Sequence, residues 1–368
     1  MNRRSFLAYG GAGATVAVAP QHALAQSASS KIDLVIEPAD VELIDGRVVY
    51  QLLFFAAGAA RPVLRAREGD LVTVRVRNNA PEAHGFAIPG APAATIPAIA
   101  PGGVGEATFR VPVGGTYLYL DPLNAPANRL LGLHGALVVT PRESRTPNGA
   151  VTPFSRAALT PAARLVFDSM SEAPTARYRG DPWKPTREKI WVFTQIDPAL
   201  HALAELRRPI DGASLRRTFA PRYFTINGLS GFDSSEDEAI KPKGYVGQPL
   251  LIRTLNAGGV THAPHIHGNH LLECSGVGVN GAVVVRDNII ERDCWSLRPL
   301  DRKDMLLPFE VPQDIPPAAW PPREEPFPLR YAMHCHTEMS QTAGGGNYPQ
   351  GLVTHWELLG PTRPTPAA

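Results

Sequence analysis

Short runs that alternate apolar and polar residues, each closed by a turn cluster, most restrict the folds open to this chain. Leu71-Val72-Thr73-Val74-Arg75-Val76-Arg77 alternates along most of its length and stops at Asn78-Asn79-Ala80-Pro81. Alternation at period two places one face of a strand on a core and the other in water. Ala107 to Val111, Gly115-Thr116-Tyr117-Leu118-Tyr119-Leu120 and Gly135-Ala136-Leu137-Val138-Val139 follow at short intervals. With 37 prolines and 33 glycines in 368 residues, turns are favoured and long helices are not. This spacing predicts a β-sandwich over residues 32–141. Residues 142–162 carry Pro, Ser, Thr and Arg without apolar periodicity and read as a linker. Strand signals resume at Arg164-Leu165-Val166-Phe167 and recur at Ile190-Trp191-Val192-Phe193, Phe224 to Gly228, Gln248 to Asn256, Met305 to Val311, Leu329 to His336 and Gly351 to Leu358. A short helix is expected near Pro198 to Leu206. The second sandwich therefore spans residues 163–360, with a proline-heavy insertion at 312–328 and a glycine-rich loop at 344–349.

The first 25 residues read as an address. Arg3 and Arg4 precede an apolar stretch from Ala8 to Ala19, and Ala23-Leu24-Ala25 is a small-x-small cleavage site. The pattern resembles a twin-arginine signal and predicts export to the periplasm or beyond. Without it, 34 basic residues face 34 acidic ones, a balance with no field for nucleic acid. No apolar run of the remaining chain has the length of a membrane span.

Histidines are clustered. His262, His265, His267 and His270 fall within nine residues, and His334 and His336 flank Cys335. Imidazole and thiolate together suit copper and zinc, and sulfur beside imidazole suits copper electron-transfer sites. On a strand, His334 and His336 point to one face and Cys335 to the other. One tripeptide can thus serve two centres on opposite faces. His265 and His267 share a face in the same way.

His262-Ala263-Pro264-His265-Ile266-His267-Gly268 and Met333-His334-Cys335-His336 resemble the HxxHxHG and HCH motifs of the multicopper oxidases, in that family's order. Gln248 to Arg253, Glu291-Arg292-Asp293 and Gly351-Leu352 support the likeness in the second domain, and Gly115 to Tyr119 and Gly132 to Val139 support it in the first. The resemblance implies an all-β fold of two cupredoxin-like Greek-key sandwiches. It implies that Cys335 and His262 ligate a type 1 copper, and that His265, His267, His334 and His336 supply half of a trinuclear cluster where oxygen is reduced. Electrons would pass from Cys335 to its flanking histidines.

The departures from the family pattern are local. Where it expects a first-domain His-x-His pair, this chain has Glu82-Ala83-His84-Gly85, so His84 is the one candidate there. Where it expects a second pair, the chain has Leu120-Asp121-Pro122. His134 is a ligand or a turn-edge residue. The family's second type 1 histidine falls at Ser340, for which Glu338, Met339 or His355 could substitute. Cys274 and Cys294 either pair as a disulfide or remain two buried thiols. Trp320, in the proline-heavy insertion, either walls the substrate side of Cys335 or lies in a solvent loop, and residues 344–349 could form a lid.

The expected function is a copper-dependent oxidoreductase passing single electrons from a small phenolic, amine or metal-ion donor to oxygen. The alternative is an exported copper-binding or electron-transfer protein without catalysis. A nitrite-reductase-like enzyme ranks lower, because that family's type 1 ligands lie in the first domain, where this chain has no cysteine. Two-domain relatives build the trinuclear cluster between subunits, which implies a homotrimer.

Overall fold

The computed structural model describes residues 31–361 apart from 173, 175–176, 313–317 and 319–325. Strands dominate it and form two all-β sandwiches, as expected. In the first, one sheet runs in spatial order Ala59–Ala60, Val48–Ala56, Lys31–Glu42, Leu71–Asn78 and Val104–Arg110. Its partner runs Leu64–Arg67, His134–Thr140, Gly115–Leu120, His84–Ala87 and Thr95–Ile99. The alternation that predicted Leu71–Asn78 is what buries it: Val72, Val74 and Val76 face the core, while Leu71 and Arg77 are exposed. Between the sheets, Phe54 meets Tyr119 and Phe86 edge-on at ring separations of 5.4 and 6.0 Å.

The second sandwich pairs a six-stranded sheet with a four-stranded one. The larger runs Tyr223–Ile226, Glu188–Ile196, Leu250–Asn256, Arg302–Leu307, Leu271–Val277 and Val283–Arg292. The smaller runs Lys243–Gly244, Val353–Leu358, Leu329–Cys335 and Pro264–Ile266. Trp191, Trp295, Trp356, Met333 and Cys335 are buried between them. The Asn227-Gly228 turn after Tyr223–Ile226 has φ of 55° and 88°, the left-handed pair that a tight hairpin turn demands.

Two sequence expectations fail around residue 160. Arg164 to Phe167 is not a strand but lies within the helix Pro161–Met170. Thr160 caps it by accepting from the Ala163 amide, and Pro161 occupies its first turn. Ala163, Phe167 and Met170 share its buried face, a spacing of four and three that outweighs the local apolar run. Residues 142–162 are not a free linker either. Phe154 and Leu159 join that helix in a core against Leu251, Leu272 and Leu306 of the larger sheet. The helix near residue 198 does form, over Pro198–Glu205, capped by Asp197.

The sandwiches share a tight joint. Leu118, Leu120, Ala136 and Val138 of the first pack on Ile190, Val192, Leu255 and Ala257 of the second. Beside this joint, buried Arg253 bonds Glu188 at 2.8 Å, Asp304 at 3.3 Å and first-domain Thr116 at 2.9 Å. Arg65 reaches across to the same Glu188 at 2.6 Å. Residues 344–349 are tied to the body, with Arg222 donating to the Gly344 carbonyl at 2.9 Å. The expected signal at 1–25 and the expected role of Trp320 fall on residues outside those described.

Candidate metal centre

Pro264–Ile266 pairs antiparallel with Leu329–Cys335, and the register sets Pro264 opposite Cys335, His265 opposite His334 and Ile266 opposite Met333. Strand alternation then sorts the motif. Ile266, Met333 and Cys335 point into the core, and the four histidines gather on the other face. His265 Nδ1 lies 3.4 Å from His334 Nε2, and His267 Nε2 lies 3.0 Å from the same atom. The His336 ring sits 4.7 Å from that of His265 and 5.1 Å from that of His334. After His267 the chain turns at Gly268, with φ of 76°, where a Cβ would strike the Tyr331 ring at 2.4 Å. Glycine is required there on both counts.

Burial, and then the neighbouring imidazoles, hold His265 and His334 below the ordinary histidine range. Both rings are therefore neutral at pH 7 and have lone pairs to donate. Asp293 stands 3.4 Å from His265 Nε2. A carboxylate beside the ring nitrogen that faces away from the cluster is the carboxylate–histidine arrangement common behind metal ligands. Converging imidazole lone pairs repel one another until a cation sits among them, so this donor set fits copper.

On the core face, Cys335 Sγ lies 3.6 Å from His262 Nδ1 and accepts from the Ala263 amide at 3.3 Å. That separation matches sulfur and nitrogen bound to one ion at about 2.3 and 2.0 Å. Phe193 and Phe224 enclose His262 at ring separations of 5.8 and 6.2 Å, and burial pushes it down to about 4. Gln195 bonds its Nε2. Gln195 lies 67 residues upstream and has no motif of its own, so sequence reading missed it.

Of the residues that could substitute at the Ser340 position, Glu338 and Met339 are exposed and His355 is engaged elsewhere. Ser340 is buried and its hydroxyl donates to the Thr337 carbonyl at 2.6 Å. Met339 is 59% exposed. His355 bonds Glu357 at 3.1 Å. All three cysteines are free, so Cys274 and Cys294 do not pair. Cys274 packs in the core that includes Phe154 and Phe167, whereas Cys294 sits beside the Ala263 carbonyl.

The first-domain histidines stay in the first domain. His84 Nδ1 donates to Asp121 at 2.8 Å, and that carboxylate also accepts from the Gly85 and Leu123 amides and from Asn128. The residue standing where the family has a histidine pair thus orients His84 instead. His84 Nε2 is buried without a partner among the described residues. It borders a cavity of about 300 Å³ lined also by Tyr50, Glu82, Leu123 and Arg207. His134 is buried, and desolvation with Arg61 and Arg129 keeps it neutral. It lines the domain joint beside Val192 and Thr194 rather than the metal cluster.

Residues 43–144 match the family model for multicopper oxidases. That match covers 102 of the 368 residues. The match falls on the first domain, the one with fewer candidate ligands. A curated relative, copper resistance protein A of Pseudomonas syringae pv. tomato, is 37% identical over an alignment of 95 residues, and the match covers 23% of this chain and 15% of that protein's length. Among solved structures, the blue copper oxidase from Nitrosomonas europaea superposes with a TM-score of 0.64 at 20% identity, covering 89% of this chain and 85% of that one. The copper nitrite reductase from the same organism superposes with a TM-score of 0.56 at 16% identity, covering 89% and 93%. At these identities the structures establish the two-domain cupredoxin fold that both share.

Proposed function

We propose that this multicopper oxidase relative is an exported copper-dependent oxidoreductase that passes single electrons from a small phenolic, amine or metal-ion donor to oxygen. The reading is carried by one observation: ligand nitrogens of His265, His267 and His334 lie within 4.8 Å of one another, with the His336 ring alongside, on one face of a strand pair whose other face carries Cys335 and His262. Copper, when bound, supplies one-electron redox chemistry. His265, His267, His334 and His336 would hold it on the outer face, and Cys335 with His262 on the core face. Backbone through Cys335 joins the two sets by a few covalent bonds. Asp293 orients His265, and the Phe193 and Phe224 rings keep water from His262.

His267 and His336 are exposed, so the outer cluster is open to a further ligand. A homotrimer in which a neighbouring copy completes that open cluster belongs to the same reading, with buried His84 held inside the first domain by Asp121. Copper content, oxygen uptake with a phenolic donor and solution mass test the reading together. Two or more coppers per chain, oxygen consumption and loss of both in His334→Ala are expected. Copper-free protein after reconstitution, or copper-loaded protein without turnover, overturns it, the second outcome favouring a binding protein.

A further inference from the structure

Gln195 has an unambiguous orientation. Its Oε1 accepts from the Gly259 amide at 2.6 Å and from the Val260 amide at 3.1 Å. Two backbone N–H groups can be met only by an acceptor, so the oxygen is fixed on that side and the NH₂ faces His262 Nε2. Gly258 makes the approach possible, since a Cβ there would lie 2.0 Å from Gln195 Oε1. The loop is held from the first domain by buried Arg129, which donates to the Gly258 carbonyl at 2.6 Å and to that of Ala257.

An NH₂ group pointing at His262 Nε2 needs a lone pair there, and a neutral imidazole with a lone pair on Nε2 carries its proton on Nδ1. That nitrogen faces Cys335 Sγ. An ion shared with Cys335 would need the Nδ1 lone pair instead, which moves the proton to Nε2 and sets two donors against each other. Relief would require turning the Gln195 amide over, and the Gly259 and Val260 amides would then lose their acceptor.

We infer that Gln195 is a positioning residue that fixes the His262 proton on Nδ1, toward Cys335, and so disfavours metal capture by this pair relative to the four-histidine face. Both tautomers are neutral, so the device acts through hydrogen-bond polarity and not through charge. The metal-capture half of the inference rests on the proposed core-face ligation, and the tautomer half does not.

The test begins with the metal-free full-length protein carrying ¹⁵N-histidine, with His262 assigned by loss of its signals in His262→Gln. Wild type is expected to show a protonated Nδ1 and a bare Nε2. In Gln195→Glu both side-chain oxygens accept, so the two loop amides stay satisfied and the proton is expected to move to Nε2. Cobalt(II) titration then reads the sulfur-to-metal band that disappears with Cys335→Ser. Gln195→Glu is expected to bind at least about tenfold tighter at that band than wild type, a difference of about 1.4 kcal/mol. A proton on Nε2 in wild type overturns the inference, and that measurement needs no variant to fold. Tighter cobalt binding without a tautomer change overturns it too, because added negative charge would then be the cause. Failure of copper to bind the four-histidine face would sink the proposed function and leave the metal-free tautomer result standing.

Discussion

His265 and His334 stand directly opposite each other on adjacent antiparallel strands, with Nδ1 and Nε2 3.4 Å apart. Directly opposed residues have the shortest cross-strand Cβ separation available in a sheet. The pairing of one three-residue strand with its neighbour therefore brings together rings that are 69 positions apart in sequence.

Asp293 stands 3.4 Å from the other ring nitrogen of His265. Asp293→Asn is expected to weaken copper retention at the four-histidine face by about 10–100-fold, the usual effect of losing an outer carboxylate. Competition against a chelator of known affinity measures this. Affinity equal to wild type would show that the carboxylate does not orient the ring.

Acid is expected to destabilise the metal-free protein below neutrality. Burial pushes His262 and His201 each down to about 4, against about 6.5 in an unfolded chain. Between those values the unfolded state binds one more proton at each ring, so stability is complete above pH 6.5 and falls as pH drops toward 4. The expected loss is about 3 kcal/mol per histidine at pH 4. Urea midpoints across this range check it; His134, His265 and His334 are also held below the ordinary range and add to the dependence, so His201→Gln should remove only its own share, about 3 kcal/mol at pH 4.

Arg253 is the buried cation that Glu188, Asp304 and Thr116 share at the domain joint. Arg253→Met leaves two buried carboxylates facing a methylene chain and is expected to cost about 3–5 kcal/mol. Denaturant unfolding followed at tryptophan measures it. A loss below about 1 kcal/mol would mean that water replaces the guanidinium.

Three free cysteines predict three alkylated thiols under denaturing, non-reducing conditions, and a melting temperature that reductant does not change. Cys274→Ala removes a fully buried sulfur from a packed core and is expected to cost about 1 kcal/mol or more. Recovery of a single thiol would show a Cys274–Cys294 bond.

Much of this was legible from residue order. Period-two alternation in Leu71–Asn78 is a local property, because a strand's two faces follow from backbone geometry alone. So is the sorting of His334, Cys335 and His336 to opposite faces, and so are the families of residues that suit copper. Local signals misled at residue 165, where an apolar run hid a helix whose buried positions fall at 163, 167 and 170. The helix was decided by the sheet it covers. Tertiary structure alone brought Gln195 to His262, Asp293 to His265 and Asp121 to His84, and turned His355 toward Glu357 instead of the metal face. Hydrogen-bond partners distant in sequence leave no periodicity to read, because their meeting depends on strand order and register. The sequence determined which side chains could hold a metal, and the packing of the two sandwiches decided which of them converge and which partners each ring meets.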